Sequence, residues 1–322
     1  MSLRISTAPH MHNPLTTQRL MQFVLIALLP TAAAGVYYFG MPALTLLLVS
    51  MASAVAAELL WQIAARQPVR INDFSALVTG LILGLNLPAS APWWIAMIGS
   101  AFAILIVKQL FGGLGDNFLN PALAARAVLL ASWPTHMASS AFIKLSFYRN
   151  GLDGLASATP LASSAVPEYP YSLMQLFLGQ TPGAIGEVCK AAILLGFLFL
   201  LLTGTIQWRI PVVMVGSVFV WTLLLGTKML PPSLNTALTA VLSGGVLFGA
   251  VFMATDYVTS PITPFAQTVY AFLIGLIIVV IRKFGIYPEG VTYAILLMNI
   301  ATPLLDRFLP QKIYGHVKKE AK

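Results

Sequence analysis

The residues able to do chemistry are few, and most sit beside breaks in long apolar runs. Asn117 and Asn120 follow the glycine-rich stretch 112–115 and Asp116, and they precede Pro121. Three apart, they share a face on the first turn of a helix, and a carboxamide both donates and accepts hydrogen bonds. The same residues spell a helix start, with Asp116 or Asn117 as cap and Pro121 near the first position, and the two roles are compatible. Glu58 lies within an apolar run, two turns before Arg66. A carboxylate in that setting is functional when it faces a bundle interior. The expectation here is the plainer alternative, a side chain that snorkels to the interface or pairs with Arg66 or Arg70. Asp256, followed by Thr259, Ser260 and Thr263, offers oxygen ligands for a hard cation and equally the polar caps of a helix end. Asp306 beside Arg307 reads as a terminal pair. Residues 153–161 (DGLASATPL) are small and hydroxyl-rich, which on composition alone makes a turn, with Thr159 held extended by the proline after it.

The composition narrows the field. Of 322 residues, 58% are hydrophobic and 9% charged, against about a quarter charged in an ordinary soluble domain. A bilayer covers that much apolar surface; a soluble fold of this length does not. The single cysteine, Cys189, excludes an internal disulfide framework and any cysteine-based zinc or iron–sulfur site within one chain. His10, His12, His136 and His316 are scattered near ends or loops, so no metal cage is expected. A formal charge of +8 points to cytoplasmic loops and anionic headgroups of a lipid bilayer, not to nucleic acid. Residues 1–19 are polar and the apolar stretch after them is long enough to span, so no cleavable signal is expected.

The elements that position these residues are helices. A span needs about 20 mostly apolar residues, and residues 20–39, 41–65, 93–111, 189–206, 210–230, 234–255 and 265–281 meet that demand. Residues 74–87, 118–133 and 291–305 are shorter. Such segments are either broken helices lining a site or tilted partners in the bundle. The expected fold class is an all-α polytopic integral membrane protein of about ten transmembrane helices. Residues 20–133 hold the first five spans, 134–188 a long loop, 189–306 the second five and 307–322 a tail. Tight connections rich in Gly and Pro join the spans, but the loop 134–188 is far longer than a helix–helix turn, and long loops on rigid scaffolds carry function.

Positive charge sets the orientation. With the N-terminus inside, twelve of the 18 Lys and Arg residues fall on the cytoplasmic side, Lys108 and Arg126 among them, and six outside. Arg282-Lys283 is an exception to the rule. Both termini are then cytoplasmic and the long loop faces outward. Five spans on each side of that loop make any internal repeat inverted. Residues 75–86 (SALVTGLILGLN) loosely resemble 243–256 (SGGVLFGAVFMATD), and Lys108-Gln109 matches Arg282-Lys283.

Three stretches carry a family likeness: DGLASATPL, GGLGDNFLNPALAARA (112–127) and ATDYVTSPITPFAQ (254–267). Over essentially its whole length the chain resembles the RnfD family, membrane components of the Rnf ion-translocating electron-transport complex. It is similar, more distantly, to NqrB of the sodium-translocating NADH:quinone reductase. In that family a threonine in a D-x-x-x-(S/G)-A-T pattern takes FMN through a phosphoester bond. Thr159 is the matching position, with Asp153, Ser157 and Ala158 in register. The chain departs from the usual pattern at Ala156, where Ser or Thr is preferred, and at Ser157, where Gly is. The resemblance also implies a flavin transferase that reaches Thr159 on an exposed loop, and a riboflavin near Asn117 and Asn120, whose carboxamides suit the edge of an isoalloxazine ring.

The implied activity is that of a membrane flavoprotein subunit in the bacterial inner membrane. The complex passes electrons between ferredoxin and NAD and moves Na+ or H+. Partner subunits must bind the nicotinamide and hold the iron–sulfur centres, because this chain has neither a Rossmann fingerprint nor cysteine clusters. Two rivals stand beside it: a stand-alone channel or transporter for a small solute, and an assembly subunit without cofactor.

Overall fold

The computed structural model describes residues 16–137, 172–228, 230–285 and 289–310. Asp153, Ser157, Ala158 and Thr159 lie outside the described residues. At bilayer depth backbone polar groups must be satisfied within the segment, so apolar runs become helices. Helix α1 (Thr17–Phe39) is capped by Thr16, whose hydroxyl accepts the Arg19 N–H. Gly40, at φ +70°, turns the chain into α2 (Met41–Ala64). Then follow α3 (Ser75–Leu85) and α4 (Trp93–Phe102), the latter prolonged by a wider π-type segment, Ala103–Gln109. Helix α5 (Pro121–Ser132) and the single turn α6 (Pro134–Met137) end the first half. The second half begins with a short α7 (Leu173–Leu178), then α8 (Lys190–Leu202) and α9 (Arg209–Leu225). After them come α10 (Leu234–Leu242) and α11 (Val246–Phe248), which a π-type segment carries to Met253. Last are α12 (Pro264–Phe284) and α13 (Val291–Phe308). No strand occurs among the described residues.

Helices α1, α2 and α12 are long and apolar enough to cross a membrane, and five shorter apolar helices of 10–17 residues accompany them. Their outward faces are greasy: Leu60, Leu195, Leu224 and Phe308 are all well exposed. The chain is a multi-pass, all-helical membrane protein. One expected span is different in kind. Residues 234–255 are not continuous; α10 and the segment Val246–Met253 meet at 62°. The cause is Ser243-Gly244-Gly245, where Gly244 takes φ +65°. Its counterpart α3, at 11 residues, rises about 16 Å and so reaches only halfway through a ~30 Å core.

The two halves pack alike. Helix α1 lies against α8; α2 holds α3 and α4, as α9 holds α10 and α12; α5 meets α13. Small residues let these helices approach. The Ser50 hydroxyl on α2 donates to the Gly80 carbonyl on α3 at 2.6 Å, and the Ser217 hydroxyl on α9 donates to the Phe272 carbonyl on α12 at 2.7 Å. A Cβ at Gly80 would sit 2.7 Å from the Ser50 carbonyl oxygen, and one at Gly275 would sit 2.5 Å from Ser217 Oγ.

Candidate functional site

A buried polar knot ties α2, α3 and the end of α4. Lys108 Nζ donates to Glu58 Oε1 at 2.7 Å and to Ser75 Oγ at 2.6 Å. Gln109 Nε2 donates to the same Glu58 oxygen at 2.7 Å. Glu58 and Lys108 are each 2% exposed, and the second Glu58 oxygen has no hydrogen-bond partner. The expected interfacial pairing of Glu58 with Arg66 or Arg70 is therefore incorrect: its cation is Lys108, fifty residues on, brought in by packing of α4 on α2. The second half repeats the tie. Arg282, at the matching end of α12, donates to the main-chain carbonyls of Ala240 and Ser243 at 2.6 and 3.0 Å. In the first half the cation ending the fourth helix holds Ser75, where α3 begins; in the second it holds carbonyls at the C-terminal end of α10, where the span breaks.

Two spaces open beside the knot. A polar vestibule of about 860 Å3 is lined by Glu58, Arg70, Asp73, Gln109 and Asp116 among others. A narrower cavity of about 90 Å3 lies between Ser75, Thr79, Lys108, Asn117, Asn120 and Asp256. The two asparagines thus face one cavity, as their spacing suggests, yet they are not equivalent. Asn120 is the cap of α5; its side-chain oxygen accepts the N–H groups of Ala122 and Leu123 at 3.1 and 3.3 Å. Its amide nitrogen donates to the Met253 carbonyl at 3.3 Å, tying α5 to the broken helix. Asn117 donates to the Leu119 carbonyl at 3.0 Å. The expected cap, Asp116 or Asn117, is one turn too early, because the chain stays irregular until Pro121. The donor set suits a flavin edge, and the space that Asn117 and Asn120 line is narrow, about 90 Å3.

Asp256 is half-buried beyond the end of the π-type segment and accepts from the Thr259 hydroxyl at 3.1 Å; its partial removal from water pushes its carboxyl above the usual range. Asp306 does not serve as a simple pair with Arg307, since its carboxylate accepts the Ile262 N–H at 3.0 Å and ties α13 to the start of α12. Among the described residues no cluster of His, Cys, Asp and Glu could hold a metal ion.

The sequence reading missed a second buried cluster. Arg126, assigned to a cytoplasmic surface, is instead 4% exposed inside α5. Its guanidinium donates to Asn86 Oδ1 at 3.0 Å and to Glu289 at 2.5 Å. Glu187 and Lys190 are buried nearby, and Lys190 reaches the carbonyls of Glu187 and Gly244. The available signal was the position of Arg126 itself, flanked by alanines midway along a short apolar run. A lone charge there has to find a partner in protein.

Half-length helices meeting inside a multi-pass bundle, with buried ionic ties at each junction, define the transporter-like class of membrane proteins. The comparisons are more specific. The model of the NQR2, RnfD, RnfE family matches residues 4–315, and the chain belongs to that family. It is 47% identical to the D subunit of the Na(+)-translocating ferredoxin:NAD(+) oxidoreductase complex of Acetobacterium woodii, over 100% of this chain and 99% of that one. It is 36% identical to the D subunit of an ion-translocating oxidoreductase complex from Cronobacter sakazakii, over 98% of this chain and all of the other. With its namesake from Stutzerimonas stutzeri it shares 39%, over 93% and 92% of the two chains.

Proposed function

We propose that this chain is a membrane subunit of an ion-translocating oxidoreductase complex of the Rnf type, which couples electron transfer between ferredoxin and NAD to movement of Na+ or H+. The observation that carries this reading is the end-to-end likeness to the Acetobacterium woodii protein, joined to a bundle whose broken helices are the usual frame of an ion path. Ten elements of the described chain serve as the spans: α1 to α5, α8, α9, the pair α10–α11, α12 and α13. The end bearing Arg19, Arg66, Arg70, Arg209 and Arg307 faces the cytoplasm, and the connection 134–188 faces outward.

Thr159 on that connection accepts FMN as a phosphoester, with Asp153, Ser157 and Ala158 completing the motif that a flavin transferase recognises. A covalently held FMN supplies one-electron chemistry at the membrane surface, while the protein sets its position and surroundings. The tether keeps its local concentration high beside the redox partner. A riboflavin held by this chain would meet the carboxamides of Asn117 and Asn120 with the edge of its ring. Within the chain, Lys108 balances the Glu58 charge at the edge of the vestibule, and Arg126 balances Glu289 deeper in.

Intact-mass measurement after acid precipitation tests the reading. The chain co-expressed with a flavin transferase should be heavier than its sequence by one esterified FMN and fluoresce yellow when denatured. Thr159→Ala should restore the bare mass. A bare parent chain would leave a stand-alone solute carrier, which the broken helices also suit, as the better account.

A further inference from the structure

Thr181 to Val188 are all buried, yet none of them is helical. Irregular backbone inside a membrane protein persists only where protein covers it or a water-filled cavity receives it. Here the covering is specific, because this strap lies between half-length α3 and the broken α10–α11 span, bonding the end of the first and packing against the break of the second. The Ile185 and Gly186 N–H groups donate to the carbonyls of Leu87 and Leu85, at 3.1 and 2.7 Å, and so cap the C-terminal end of α3. The Glu187 carboxylate accepts the Ala184 N–H at 2.9 Å, and it lies against Gly245, where a Cβ would come within 3.3 Å of Oε2. Lys190 fastens the strap to the same break through the carbonyls of Glu187 and Gly244. Helix α1 closes over it, since a Cβ at Gly35 would lie 2.5 Å from Ile185 Cγ2.

In a pair of half-helices facing each other, the free termini are the groups that meet a transported ion. The strap's amides bond the α3 terminus and its Glu187 carboxylate packs against Gly245, on the side away from the vestibule. We infer that the Thr181–Val188 strap is the outward gate of the ion path, docked between the broken helices in this conformation and withdrawn when the ion leaves. Withdrawal exposes the Leu85 and Leu87 carbonyl oxygens, hard donors suited to a cation. This inference rests on the proposed ion-translocating role. Its placement also makes physical sense of coupling, because the strap is the end of the connection that carries Thr159.

A reversible lock tests it. The Cβ atoms of residues 35 and 185 lie within about 4 Å, one carbon–carbon bond beyond the contact just given, which suits a disulfide. The whole complex carrying Gly35→Cys and Ile185→Cys, with Cys189→Ser to remove the native thiol, is placed in proteoliposomes with reduced ferredoxin and NAD+. Uptake is followed with 22Na+ and, in parallel, with a pH-sensitive dye. Oxidation should cut whichever uptake the parent shows by at least about tenfold, and dithiothreitol should restore it. Undiminished uptake with the disulfide verified by mass overturns the gate and leaves the translocating role intact. A parent that moves neither ion overturns both. Should the double variant fail to assemble, Val188→Cys in the Cys189→Ser background gives a second readout. Its labelling by a membrane-impermeant maleimide enclosed in the vesicle lumen, which the outward gate faces in complexes driven by external ferredoxin, should rise during turnover, and labelling that stays the same in a pumping complex also overturns the gate.

Discussion

The Glu58–Lys108 pair offers a quantitative test of how the first half is held together. Lys108→Met removes the cation and leaves a carboxylate that is 2% exposed, with only the Gln109 amide donating to it and one oxygen already without a partner. Breaking a buried pair on one side costs about 3–5 kcal/mol. The vestibule reaches Glu58, so water relieves part of the charge and the lower end, about 3 kcal/mol, is the better figure. Glu58→Leu strands the ammonium in the same way, with Ser75 Oγ as its remaining partner, and should cost a similar amount. Removing both leaves Gln109 and Ser75 each short of one hydrogen bond, at about 1 kcal/mol apiece, and no buried charge. The double variant should therefore be destabilised by about 2 kcal/mol, against about 6 for the sum of the singles.

The coupling energy of the cycle is then about 4 kcal/mol. Equilibrium unfolding of the purified chain in mixed micelles, titrated with SDS and followed by tryptophan fluorescence, measures all four corners. A coupling below about 0.5 kcal/mol, the scatter expected of independent sites, would refute the claim that these two charges exist for each other. A double variant as unstable as the sum would refute it as well, by showing that packing around the two aliphatic stems dominates.

Other outcomes follow from the same contacts. Gly80→Ala and Gly275→Ala place a Cβ 2.7 Å from the Ser50 carbonyl oxygen and 2.5 Å from Ser217 Oγ, so each should cost about 1–3 kcal/mol of overpacking; thermal midpoints of the two variants in detergent check this, and an unchanged midpoint in either would mean that its neighbours yield at no cost. Asn120→Ala removes a helix cap and should cost about 1 kcal/mol or somewhat more, whereas Asn120→Ser keeps a capping acceptor at the head of α5 and loses the amide donated to Met253. The same thermal measurement should rank Ser between Asn and Ala, and equal losses would mean that the Met253 tie, not the cap, is what matters.

Hydropathy made the helical class and the place of most spans legible, because a bilayer demands long apolar runs whatever the tertiary detail. It could not show that residues 234–255 break. Ser243-Gly244-Gly245 is mild punctuation in an apolar run, and the break persists because Arg282 takes the carbonyls of Ala240 and Ser243 that a continuous helix would have used internally. That tie joins residues some forty apart and has no local signature. The asparagine pair was legible as a cavity-facing motif at a helix start, while the identity of the cap was not, since Asp116, Asn117 and Asn120 are all competent and only tertiary contact with Met253 selects the last. Glu58 was weighed against the charges near it in sequence and Arg126 was counted among the cytoplasmic cations, whereas each is neutralised by a partner brought in by tertiary packing, Lys108 and Glu289.

The buried ties also explain why a weak sequence repeat can accompany a clear structural one. Lys108 approaches Ser75 with its ammonium, whereas Arg282 reaches the Ser243 carbonyl with its guanidinium. The chemistry is shared, a cation meeting oxygens at a helix end, but the end and the acceptor differ: the head of α3 in the first half and the C-terminal end of α10 in the second. In the first half the acceptor is a hydroxyl backed by the Glu58 carboxylate; in the second it is a pair of main-chain carbonyls freed by the break. A substitution in either half can therefore drift in identity so long as a cation meets an oxygen at that spot. The two junctions are then free to diverge in use. The first keeps its carboxylate beside an open vestibule, and the second is covered by the strap and by the Arg126–Glu289 pair. An arrangement open on one side and closed on the other is what a translocating path requires, since simultaneous access from both sides would be a leak.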